Sequence, residues 1–194
     1  YYPVGISDGC PADAFGEQRW LKSKTLRPAP GFAPAPTMVT HYRYTDLPSA
    51  SPDRARFLVL AQESVTEEGQ SEPLMTIARH YNDDPGSTFF GRIKQKVETV
   101  TGFATVFDYS YELKDGALCT HITLTAQDGC SSSKSIWQNM LTGAETKTVE
   151  QLGVVVETAH DRLGRKTLET IAPKTSGQAA RTYSYKLTEI LSNP

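Results

Sequence analysis

Gly102, Gly116, Gly129, Gly143, Gly153, Gly164 and Gly177 punctuate the C-terminal half of the chain at intervals of 10 to 14 residues. Glycine accepts positive φ without a Cβ clash, so such a series marks tight turns. Between the glycines the side chains alternate with a period of two. Phe103, Thr105, Phe107, Tyr109, Tyr111 and Leu113 share one face, with Ala104, Val106, Asp108, Ser110 and Glu112 on the other. Beyond Lys114-Asp115-Gly116 the pattern resumes in Leu118, Thr120, Ile122 and Leu124. This alternation predicts strands at Phe103–Leu113 and Leu118–Ala126, joined by an Asp-Gly pair that suits the type I′ turn. Turn signals every 8 to 12 residues or so, with alternating segments between them, mark an all-β architecture. The spacing is too irregular for a strict repeat but fits a meander of hairpins.

Val154 to Ile171, VVVETAHDRLGRKTLETI, reads as a second hairpin around the turn His160-Asp161-Arg162-Leu163-Gly164-Arg165. Val154, Val156 and Thr158 share a face of its first arm, and Lys166, Leu168 and Thr170 a face of the second. Weaker strands are expected at Met38–Thr45, Phe57–Val65, Leu74–Tyr81, Arg92–Val100, Ser133–Asn139, Glu145–Glu150 and Thr182–Thr188. Arg54 to Glu68 fits a helix by composition, but its β-branched and aromatic residues assign it to a strand. The expected fold is all-β: antiparallel hairpins with little helix.

The chain begins differently. Pro28-Ala29-Pro30-Gly31-Phe32-Ala33-Pro34-Ala35-Pro36 can neither ladder into a sheet nor form a helix, and reads as an extended spacer. Residues 1–36 are therefore expected to be an irregular, Pro-rich segment, and residues 37–194 a β-hairpin region with its clearest unit at 154–171. The hydrophobic fraction of 38% would supply a core if the 194 residues were compact. A start at Tyr1 with no methionine suggests a piece of a longer polypeptide. A net charge of −2 leaves no electrostatic footprint for nucleic acid or an anionic membrane. No apolar stretch is long enough for a transmembrane helix. Cys10, Cys119 and Cys130 are odd in number and irregular in spacing, and are read as reduced.

The chemistry-bearing residues form no recognisable catalytic motif. His41, His80, His121 and His160 lie 39, 41 and 39 residues apart, without the H-x-H or H-E-x-x-H spacing of a metal site. Their rhythm suits a vestigial repeat, because Tyr44-Thr45-Asp46, His80-Tyr81-Asn82-Asp83 and His160-Asp161 each set an aromatic or histidine beside an aspartate at a strand end. No phosphate loop and no G-x-S-x-G elbow occurs. Asp161 with Glu157, or Glu67 with Glu68, is better read as a solvated charged face than as a catalytic pair. The sequence therefore assigns no catalytic residue, no metal ligand and no cofactor, and is read as non-enzymatic. Tyr42, Tyr44, Tyr81, Tyr109, Tyr111, Tyr183 and Tyr185 all fall in expected strands, where aromatics stabilise cross-strand pairs.

With these residues laid out, the C-terminal third resembles the YD-repeat, or rearrangement-hotspot (RHS), family of bacterial toxin systems. The family unit is Tyr-Asp, a two-residue spacer and Gly-Arg in the middle of a hairpin. Here it reads His160-Asp161-Arg162-Leu163-Gly164-Arg165, followed by Leu168-Glu169-Thr170-Ile171-Ala172-Pro173 and then Ala180-Arg181-Thr182-Tyr183-Ser184-Tyr185. The specific match covers about residues 140 to 190. It departs from the pattern in having histidine for tyrosine and in showing one good copy. Asp83-Asp84-Pro85-Gly86 lacks the rest of the family's self-cleaving motif, so proteolysis is not carried onto Asp84. The resemblance implies a structural role: an antiparallel strip of a hollow β-shell enclosing a C-terminal toxin domain, secreted or delivered to the surface of a bacterium. The partner would be the remainder of the same polypeptide. Asp161 would then supply a turn hydrogen bond, Gly164 the positive φ, and Arg165 a charged partner or a cover for the next strand. A second reading is a carbohydrate-binding β-module in which Tyr109, Tyr111, Tyr183 and Tyr185 stack on sugar rings.

Overall fold

Period-two alternation bounded by glycine turns produces strands that pair with their neighbours in sequence, and the computed structural model realises this throughout. It describes residues 1–2, 10, 20–29, 35–49 and 57–185. Within them run β1 (Ser23–Leu26), β2 (Met38–Leu47), β3 (Phe57–Glu67), β4 (Met75–Tyr81), β5 (Ile93–Val100) and β6 (Phe103–Lys114). They continue as β7 (Ala117–Thr125), β8 (Ser131–Asn139), β9 (Glu145–Val149), β10 (Val155–His160), β11 (Lys166–Ile171) and β12 (Ala179–Thr182). All twelve form one antiparallel sheet in sequence order, β1 to β12. There is no helix among the described residues. The ambiguous segment before Glu68 is strand from Phe57 onward.

Two expectations need correction. The last described strand does not begin at Thr182 but ends there, and the Tyr183 N–H still donates to Thr167 O at 2.9 Å. The 1–36 segment read as irregular contains β1, which pairs Ser23 to Leu26 with Met38 to His41. The centre of the proline-rich spacer (30–34), most of the first nineteen residues, residues 50–56 and residues 186–188 lie outside the described residues.

Of the described residues, those in Tyr1–Tyr109 and Thr123–Ser131 form one compact unit, and those in Ser110–Ile122 and Ser132–Pro194 a second. In the first, β2 and β3 make the longest ladder, ten Cα pairs from Met38↔Glu67 to Leu47↔Phe57. In the second, β8 to β12 continue the meander. The composition that could fill a core does not fill one. Among the described residues only Tyr2, Cys10, Leu47, Leu118, Cys119 and Thr148 are buried. Among the described residues no helix and no second sheet covers either face, so alternate described residues on both faces stay partly wet. Cations take up part of that role. Lys96 Nζ lies 3.9 Å from the Phe107 ring centre and Lys147 Nζ 5.0 Å from that of Trp137, so their aliphatic stems cover apolar surface while the charge meets the ring face.

The tight turns carry the strain. Asp115-Gly116 has both central residues at positive φ, 52° and 74°, as the type I′ turn demands. Between β5 and β6 the same geometry falls on Thr101 and Gly102, at φ 48° and 86°. A β-branched residue in the left-handed region is a true outlier, and Asn is among the preferred residues at that position. Thr101→Asn is therefore expected to stabilise the protein by about 0.5–1 kcal/mol. The check is a rightward shift of the urea midpoint with no change in slope.

Candidate functional site

The turn between β10 and β11 is organised by one carboxylate. Asp161 Oδ1 accepts hydrogen bonds from the backbone N–H groups of Leu163 (2.8 Å) and Arg165 (2.9 Å). Asp161 Oδ2 accepts from Arg165 Nε at 2.7 Å and lies 2.7 Å from Arg165 Nη2, a two-pronged contact. The Arg165 backbone N–H, then the Arg165 side chain and the Leu163 N–H, together hold the Asp161 carboxyl below its usual 3.8. Gly164 stands at φ 76°, and its N–H donates to Asp161 O at 3.0 Å. Arg165 is more than an ion-pair partner: its guanidinium carbon lies 4.7 Å from the Tyr185 ring centre. Tyr185 OH in turn donates to Lys166 O at 2.9 Å.

The reciprocal pair of backbone bonds recurs at Asn139–Gly143, Asn82–Gly91, Ala126–Gly129 and Glu150–Gly153, and the first two of these also share the side-chain cap and the bulge of the Asp161 turn. In the Asp161, Asn139 and Asn82 turns, the N–H of the Asp or Asn donates to the carbonyl after a glycine, and that glycine's N–H donates back. The distances are 2.9 and 3.0 Å for Asp161 and Gly164, 2.8 and 2.8 Å for Asn139 and Gly143, and 2.8 and 2.8 Å for Asn82 and Gly91. The glycines share positive φ, at 76°, 70° and 77°. In each, the acidic or amide oxygen caps the backbone N–H two residues on, at Leu163, Leu141 and Asp84. Each is followed by the same one-residue bulge. His160↔Lys166 gives way to Ala159↔Leu168, Gln138↔Glu145 to Trp137↔Lys147, and Tyr81↔Ile93 to His80↔Gln95. Thr167, Thr146 and Lys94 are the extra residues.

What differs is the excursion between Asp/Asn and Gly, which is two residues after Asp161, three after Asn139 and eight after Asn82. The β4–β5 copy even keeps the wording Tyr81-Asn82…Gly91-Arg92. The three turns share this closure although their sequences differ by the insertion at 83–90 and by Asn in place of Asp. A search for an aromatic-Asn/Asp pair and a later Gly-Arg with a variable gap would have found the one at Tyr81. Gly177, counted in the glycine rhythm, is not at positive φ. The β11–β12 turn is bent at Ala172 (48°) and Lys174 (63°) instead. The bulge also separates the two sets of residues named on the β10 and β11 arms. Val156 and Thr158 face Ile171 and Glu169, while Leu168 and Thr170 face Ala159 and Glu157.

Tyr109 and Tyr111 alternate on β6 and are half-buried, whereas Tyr183 and Tyr185 follow β12, six strands on in the sheet order. Tyr183 and Tyr185 are approached by Lys166 Nζ (5.9 Å) and Arg165. A shallow groove of about 300 Å³ lies over β9, β10 and β11, lined by Thr146, Lys147, Glu157, Thr158, Ala159, Leu168 and Thr170, none of them aromatic. His41 and His80 are exposed, and His121 and His160 half-buried. Among the described residues no group of three or more His, Cys, Asp or Glu side chains is placed to hold a metal ion. No protein-family model, no curated protein and no solved structure matches the chain.

Two substitutions separate the parts of the turn. A Cβ at Gly164 would meet nothing within 4 Å, so the cost of Gly164→Ala is backbone strain alone, about 1–2 kcal/mol in thermal or urea unfolding. Asp161→Asn keeps the capping oxygen but removes the charge that Arg165 grips. Because the folded carboxyl is depressed, its contribution is present above the unfolded value near 3.8 and is lost as pH falls through the lower folded value. The stability gap between wild type and Asp161→Asn should therefore be constant at neutral pH and close below about pH 4. A gap independent of pH would show that the charge contributes nothing.

Proposed function

We propose that the chain is a non-catalytic structural segment of a YD-repeat (RHS) polypeptide, a strip of the β-shell that encloses a C-terminal toxin domain. The observation that carries this reading is the recurrence of one capped, bulged Asx–Gly closure on three hairpins of a single meander. A unit that recurs at this level of backbone detail, with its sequence largely eroded, is how a repeat architecture persists.

Two further features support a role inside a larger assembly. The last described strand, β12, is exposed along its length, and β11 is its one neighbour among the described strands. Such an edge is a template for a further strand. The turns between β8 and β11 present isolated leucines, Leu141, Leu152 and Leu163, that are 96%, 91% and 77% exposed. Apolar tips of this kind suit burial against neighbouring polypeptide. On this reading the partner is the remainder of the same polypeptide, the setting is secretion or surface delivery from a bacterium, and function resides in a continuous wall.

Limited proteolysis of the whole polypeptide containing this chain tests the proposal. The downstream domain should resist protease in the intact protein. It should become cleavable when Gly91, Gly143 and Gly164 are together replaced by valine, while its activity after release stays unchanged. Equal protease sensitivity of the downstream domain in the intact and isolated forms would overturn the shell reading. Glycan binding that disappears with Tyr109→Ala or Tyr111→Ala would replace it with the carbohydrate-module reading.

A further inference from the structure

Where β6, β7 and β8 run side by side, the second unit gathers a thiol, an imidazole, a hydroxyl and a carboxylate. Cys119 and His121 are two residues apart on β7, so their side chains leave the same face of the strand. Cys119 Sγ lies 3.5 Å from His121 Nε2. On β8, Ser135 Oγ lies 2.8 Å from His121 Nδ1. The Glu112 carboxylate on β6 stands 3.9 Å from the same Nε2 that faces the thiol. The Trp137 ring meets the imidazole edge to face, with centres 6.3 Å apart.

We propose that Cys119 and His121 form a two-point chelate for a borderline-to-soft divalent metal ion of the zinc and cadmium class. The donor separation is the first argument. For an ion about 2.3 Å from sulfur and about 2.05 Å from nitrogen, as zinc requires, the observed 3.5 Å separation subtends about 107° at the ion, close to the tetrahedral angle. The second is the outer contact. Ser135 Oγ, 2.8 Å from Nδ1, can accept an Nδ1–H, and in that tautomer the Nε2 lone pair is available to a metal ion, the arrangement found behind metal-bound histidines. The third is charge: one thiolate and the nearby Glu112 carboxylate together balance a divalent ion. Burial, then Glu112, pushes the Cys119 thiol up from its usual value. On binding, the Sγ–H proton leaves to solvent, the Sγ–metal bond forms, and the thiol–imidazole contact is replaced by two metal bonds. The His121 side chain is 43% exposed, which gives the ion its approach, and water fills the remaining positions. The sequence signal was a C-x-H pair on one strand, which a search for paired histidines passes over.

The test is titration of the metal-free protein carrying Cys130→Ser with Cd²⁺, following the ultraviolet thiolate-to-cadmium charge-transfer band. A band saturating at one Cd²⁺ per chain is expected, and Cys119→Ser should abolish it. His121→Gln, at a half-exposed position that leaves the fold intact, and Ser135→Ala should each weaken binding about tenfold or more. Three results would each overturn the proposal: no band in the parent protein, a band that survives Cys119→Ser, or an affinity unmoved by His121→Gln.

Discussion

The sheet is held by backbone hydrogen bonds between strands adjacent in sequence, and those ladders depend on how each turn closes. With so few buried side chains among the described residues, hydrophobic burial cannot select a register as it does in a two-layer protein. Selection passes to the turns. At Asp161, Asn139 and Asn82 the closure consists of two reciprocal backbone bonds, a side-chain cap and a glycine at positive φ. Each element acts locally, so the hairpin is specified without help from the far side of the molecule. The bulge that follows every such closure shifts the facing set by one residue, and therefore decides which side chains share a face.

The same closure tolerates excursions of two, three and eight residues because the loop contributes to it only the backbone N–H groups that the Asp or Asn side chain caps. Going from two to eight residues is two doublings of loop length, about 1.2 kcal/mol of closure entropy. The longer loop offsets some of this with bonds of its own. Asn82 Nδ2 donates to Ser87 Oγ at 2.8 Å, Ser87 N to Asp84 O at 3.0 Å and Phe90 N to Ser87 O at 3.1 Å. Such a turn can vary in sequence and length while its backbone geometry stays fixed.

On the faces, long charged side chains do work that a second layer does elsewhere. Lys96 spans the Phe107 ring and an ion pair with Glu98 at 2.8 Å, and Arg79 meets Glu63 at 3.3 Å. Pairs of this kind contribute little individually in water, but their stems shield apolar surface that has no other cover. The leucines at the turn tips have no such shield. In the proposed shell, neighbouring polypeptide would cover them.

The strands, their antiparallel order and the two best hairpins were legible from the sequence because they rest on relations within a few residues. Period-two alternation, Asp-Gly pairs and the Asp161–Gly164 turn are all local, and local chemistry is enough to fix them. The ambiguous segment before Glu68 resolved to strand for the same reason, its β-branched content. What the sequence could not determine depends on pairing across strands. The kinship of Asn82 with Gly91 is hidden by eight intervening residues, and that of Asn139 by Gln138 standing where an aromatic was sought. The true faces of β10 and β11 follow from a bulge that no periodicity announces. The meeting of Cys119, His121, Ser135 and Glu112 joins three strands. In each case residues distant along the chain are brought within a few ångströms by the cross-strand register, and register is a property of the folded sheet.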